Sequence, residues 1–172
     1  MSSPSPYFPF SGSLRLTGQM AGGNSLHRLL VGGQLLQANI RARSSIGIVR
    51  AGGVQSSRVL AGIREDLLGL PSTGTDFLPA LPAPRGEPGG KVAAIANFAM
   101  TAGLFANSVL AASSIDAAVL RNVPPDNGGT PFGLIVDTKI AMLTRYTGSV
   151  ATTRTNITAS LADQIDFKVQ VV

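Results

Sequence analysis

Few side chains in this chain could do chemistry, and their spacing narrows the choice further. One histidine, His27, stands beside Arg28. A nucleophilic triad needs a serine, a histidine and an acid brought together. No Gly-x-Ser-x-Gly elbow marks a nucleophile, so His27 reads as a solvent-facing ring next to an inward leucine. The acids offer more, because glycoside-cleaving sites need two carboxylates facing one groove. Asp116, Asp126, Asp137, Asp163 and Asp166 are spread over the final third of the chain. Asp126, however, lies in Pro124-Pro-Asp-Asn-Gly-Gly129, where a turn favours Asp, Asn and Gly for backbone reasons alone. There is no cysteine and no calcium-loop pattern. The single adjacent acid pair, Glu65-Asp66, reads as a solvating feature, so neither a metal nor a cofactor is expected.

The basic residues give a stronger signal. Fourteen Lys and Arg against nine acids leave a net charge of +5. Arg28, Arg41, Arg43, Arg50, Arg58 and Arg64 crowd one stretch of sequence. If Arg41, Arg43, Arg58 and Arg64 stack on one face, they form a positive stripe able to hold an acidic polysaccharide, a lipopolysaccharide or a nucleic acid. Nucleic acid is the weakest of these, because single strands are usually gripped by aromatic platforms and this stretch has none. The plainer reading is that outward arginines keep an apolar scaffold soluble.

Positioning those side chains falls to a chain of 172 residues that is 44% hydrophobic and 13% charged, with 20 Gly and 11 Pro. Charged residues make up roughly a quarter of an average domain. So low a charge at so high an apolar content excludes charge-driven disorder and a coiled coil. Val92 to Ala112 carries no charge and is long enough to cross a bilayer. The asparagines Asn97 and Asn107 within it favour a buried soluble segment instead.

Apolar pairs three residues apart recur at Leu26/Leu29, Ile46/Val49, Val92/Ile95, Ile115/Ala118 and Ile140/Leu143. Several lead into small-residue corners, such as Gly32-Gly33 and Gly52-Gly53. A period near twenty residues is too short for two helices and suits stacked short strands with Gly, Asn and Ser at corners. The expected fold is therefore all-β: a right-handed single-stranded parallel β-helix of about six coils. Residues 1–10 form an N-terminal lead and 11–172 the domain. Five of the eleven prolines fall between Arg64 and Lys91, and proline at this density cannot join a central strand, so 64–91 is an excursion loop.

Ile46 to Val49, Val54 to Gly62 and the run Leu120-Arg-Asn-Val-Pro-Pro-Asp-Asn-Gly-Gly-Thr-Pro-Phe-Gly133 resemble glycine-rich repeats. Those repeats form parallel β-helices near the C-terminal ends of large bacterial surface and secreted proteins. Asp166 to Val171 is similar to the terminal strand of such segments. The resemblance implies an extracellular, adhesin-like module, the C-terminal part of a longer chain, with no catalytic residues to carry over. The functional expectation is a non-enzymatic structural or adhesive module that makes weak contacts with envelope glycans or other acidic polymers. Two alternatives stand beside it: a polysaccharide-active enzyme using the aspartates, and an anionic-polymer binder using the Arg28–Arg64 stretch.

Overall fold

The computed structural model describes residues 8–18, 23–62, 93–161 and 165–171. The excursion at 64–91 and most of the N-terminal lead lie outside them. The regular structure of the described residues is all strand: β1 (Phe10–Leu16), β2 (Asn24–Ala42), β3 (Ser45–Gln55), β4 (Arg58–Ala61), β5 (Ala94–Met100), β6 (Phe105–Ala106), β7 (Val109–Arg121), β8 (Phe132–Thr147), β9 (Val150–Ile157) and β10 (Phe167–Val171). The uncharged run Val92 to Ala112 supplies β5, β6 and the start of β7. Among the described residues no helix is long and apolar enough to cross a membrane.

The recurring apolar pairs set the register between neighbouring strands. Leu26 and Leu29 lie opposite Ile46 and Val49, which lie opposite Ile95 and Phe98. Ile95 and Phe98 then meet Ile115 and Ala118, and these meet Ile140 and Leu143. The third pair is thus Ile95/Phe98, three residues beyond the expected Val92/Ile95. Both frames have the same spacing, and the end of the excursion hid which one was right.

The expected six-coil, single-stranded β-helix is not what these pairings form. β2 pairs with β3 through 24–36 and with β4 through 39–42. β7 pairs with β4 through 109–111 and with β5 through 114–119. Because β3 also pairs with β5, the parallel strands β2, β3, β5, β7 and β4 close into a five-stranded ring, a small barrel. β1, β6, β8, β9 and β10 add outside that ring, and only β9 runs antiparallel to its neighbour. The cause is strand length. The corners were expected to end short strands, but β2 runs on through Gln37 at positive φ, where its partner changes from β3 to β4, and β7 runs on through a bulge between Ala112 and Ser114, where its partner changes from β4 to β5. A bulge bends a strand without ending it, so one strand serves two partners.

The inward side is a continuous apolar core in which Leu35, Ile40, Ile46, Ile95, Leu110, Ile115, Leu120 and Leu134 are fully buried. Four buried phenylalanines from four strands run through it. Phe105 contacts Phe98, Phe132 and Phe167 at ring-centroid distances of 6.5, 6.0 and 6.3 Å. Phe132 and Phe167 are 5.6 Å apart. One corner is held by stacked serines: Ser57 Oγ accepts from Ala38 N at 3.0 Å, and Ser108 Oγ accepts from Ser57 N at 3.0 Å. Just before Ala38, Ser57 and Ser108 come Gln37, Ser56 and Asn107, all at positive φ. Each corner therefore makes the same left-handed step.

Candidate anion-binding surface

Alternation puts the arginines outward, and pairing decides which of them meet. On one face Arg15 of β1 lies opposite Arg41 of β2. Arg58 of β4 lies opposite Asn39, two residues before Arg41 on β2. Three guanidinium groups thus come from three adjacent strands, which are spaced at about 4.8 Å. Arg41 Nε donates to Asn39 Oδ1 at 2.9 Å, which fixes the side chain. Partial burial, then the neighbouring charges of Arg58 and Arg15, lower the Arg41 pKa from its ordinary value. Of the other two arginines expected in this stripe, Arg43 is exposed just past the end of β2, where its N–H bonds Leu16 O at 2.8 Å. Arg64 lies outside the described residues. Arg15 was missing from the expected set because it falls before the arginine-rich stretch; only the β1–β2 register brings it in.

A different stretch of β2 forms a second basic feature. An open groove of about 380 Å³ crosses the outer face of β2, β3, β5 and β7, lined by Arg28, Leu30, Ile48, Arg50, Asn97 and Arg121 among others. Arg28 lies opposite Ile48 and Leu30 opposite Arg50, so charge and hydrocarbon alternate along and across the strands. Arg121 Nε donates to Met100 O at 3.2 Å, and the guanidinium sits 4.1 Å from the Tyr146 ring centroid. Sequence reading marked the region of Arg28 and Arg50 but missed Arg121. The available signal was the alignment of Ile115 with Ile46, which carries Arg121 onto the same face.

The acids are brought together elsewhere, for structural work. Asp166 accepts from Asn127 N at 2.5 Å and Gly129 N at 3.0 Å. Asp126 accepts from Gly128 N at 2.7 Å and lies beside the Asp166 side chain, whose pKa it helps to lower. The main chain adds Phe132 N to Asp166 O at 3.0 Å. Together these contacts tie the 122–131 loop to the start of β10. The Asn127 amide above all, with Gly129, Asp126 and Lys168, holds the Asp166 pKa below its ordinary value. Asp116 is exposed on β7. Asp137 is raised by burial, partly offset by a hydrogen bond with Ser113. Asp163 lies outside the described residues. Asp126 and Asp166 are therefore close, as paired-carboxylate chemistry requires, yet they serve backbone amides and line no arginine groove. His27 is exposed, and no hydrogen bond joins its ring to a serine or aspartate among the described residues. Those residues also hold no group of three or more His, Cys, Asp or Glu that could hold a metal.

Compared with protein-family models, curated proteins and solved structures, the chain matches none. These comparisons identify no glycine-rich repeat family. The closed ring corrects the expectation of a repeat solenoid.

Proposed function

We propose that the chain is a non-enzymatic binding module that holds an acidic polymer against arginines fixed on its outer strand positions. The observation that carries this reading is the grouping of Arg15, Arg41 and Arg58 on adjacent strands. Like charges this close raise each other's energy, and an anion laid across them relieves it. A rigid sheet also spends little entropy in presenting them. The polymer class best matched is an acidic glycan, since no aromatic platform accompanies the cluster to stack bases.

Neutralising three arginines releases counterions, with a slope of log affinity on log salt of about −2.1 at the single-strand value of −0.7 per contact. Binding of heparin or polygalacturonate, followed by titration calorimetry, should therefore weaken roughly twentyfold between 50 and 200 mM salt. Arg41→Gln or Arg58→Gln should each flatten that slope by about one. Binding that ignores salt, or that both variants leave unchanged, would overturn the proposal.

A further inference from the structure

We infer that the groove across β2, β3, β5 and β7 is a separate site for an acidic sugar unit, one whose ring carries a sulfate or carboxylate. Its residues differ from Arg15, Arg41 and Arg58, so this site stands or falls independently of that cluster. The first support is charge: Arg28, Arg50 and Arg121 line the groove, and among the described residues no acid does. A volume of about 380 Å³ falls within the roughly 300–1,000 Å³ range of small-ligand sites. Arginine pairs with planar oxyanions through a fork of donors. Arg121 is already held by Met100 O and the Tyr146 ring, so little of its freedom is lost on binding.

The second support is the pattern between the charges. Leu30 and Ile48 remain 52% and 37% exposed, and they occupy the opposite diagonal to Arg28 and Arg50. A pyranose ring offers the matching surface: a C–H face to lie on aliphatic side chains and acid groups at its rim to reach the arginines. Asn97 and Thr101 at the groove supply partners for hydroxyl groups. A lipid would need a continuous apolar strip for its chain, whereas here the apolar side chains are interrupted by charge. A nucleic acid would need an aromatic platform; the described lining contains none, and the Tyr146 ring is taken up by Arg121.

The test is titration calorimetry of the whole chain with four probes: a heparin-derived tetrasaccharide, tetragalacturonate, neutral cellotetraose and a thymidine tetranucleotide. One or both acidic sugars should bind, the stronger of them showing whether sulfate or carboxylate is preferred, while the neutral sugar and the nucleotide do not. Arg50→Gln should weaken that binding about tenfold, from the loss of a charge-assisted contact. Ile48→Ser should weaken it about threefold or more without changing its salt slope, an effect that charge alone would not produce. Arg41→Gln should leave it unchanged, which separates this site from the polymer-binding cluster. Both substituted positions face outward, and unaltered thermal midpoints would confirm that the variants fold. Equal binding of the nucleotide, or acidic-sugar binding that Arg50→Gln and Ile48→Ser leave intact, would overturn the inference.

Discussion

Two aspartates on neighbouring parts of the fold respond to pH with opposite signs, and the difference follows from what each oxygen meets. Asp166 accepts two backbone amides, which favour its ionised form and depress its pKa below the ordinary 3.8. A depressed carboxylate contributes stability above its unfolded pKa, and that contribution is lost as pH falls through the folded value. Asp166→Asn should therefore lower the urea midpoint at pH 7, and the gap to wild type should close as pH drops below about 4. Asp137 is pushed up, first by burial. Its raised pKa subtracts stability once pH exceeds the unfolded value, so Asp137→Asn should raise the midpoint at pH 7 and lose that advantage in acid. Matching pH profiles for the two variants would show that these surroundings do not control them. Neither role was legible in the sequence. Asp126 and Asp166 lie forty residues apart, and only the docking of the 122–131 loop on β10 brings their carboxylates together.

At the level of elements, much was legible because small residues have few other uses. Gly, Ser and Asn at regular intervals marked the corners, and the apolar pairs marked which residues would face each other across strands. What the sequence did not show is that β2 and β7 continue through their corners. A strand can do so only where the freed backbone groups find partners: at the β7 corner Ser113 N bonds Ala93 O and Ser113 O accepts from the Thr138 hydroxyl, and at the β2 corner a serine hydroxyl serves. Ser57 Oγ both accepts from Ala38 N and donates to Gln55 O at 2.7 Å in a buried position. Ser57→Ala should therefore cost about 1–3 kcal/mol in chemical denaturation, as expected for buried groups left unpaired. A cost near zero would mean that the corner holds without the hydroxyl. Gly133 makes a sharper constraint: at φ 138° it lies so close to the carbonyl of Lys168 that a Cβ would overlap it. Gly133→Ala should loosen the β8–β10 pairing and speed hydrogen exchange at Lys168 and Gln170, the alternate residues to Val169 and Val171 whose amides bond Leu161 O and Ser160 Oγ, while the β2–β3 amides stay protected. Uniform loss of protection would show that β10 is not a separable element.

Across the whole molecule, the arginine clusters and the core follow from the same register. The sequence showed that arginine was concentrated before Arg64, but the two surfaces that form also use Arg15 and Arg121, which only pairing brings in. The same pairing carries Phe98, Phe105, Phe132 and Phe167 from β5, β6, β8 and β10 into one buried aromatic chain. Phe105 sits at its centre, touching the other three, and it is fully buried. That chain links the strand ring to the outer strands β8 and β10, so the two parts should unfold together. Phe105→Ala should remove about 3–5 kcal/mol, the usual cost of emptying a phenylalanine site. That is a large share of the roughly 5–15 kcal/mol that a domain possesses. If the rest of the shared core couples ring and outer strands even without Phe105, the variant's urea midpoint falls while the slope of the transition stays that of wild type, because the same surface is exposed in one step. A shallower slope or a second transition would show that the outer strands come away on their own. In that case the ring, with Arg28 and Arg50 on it, would have to be stable without the β8 residue Tyr146 that holds Arg121 in the groove.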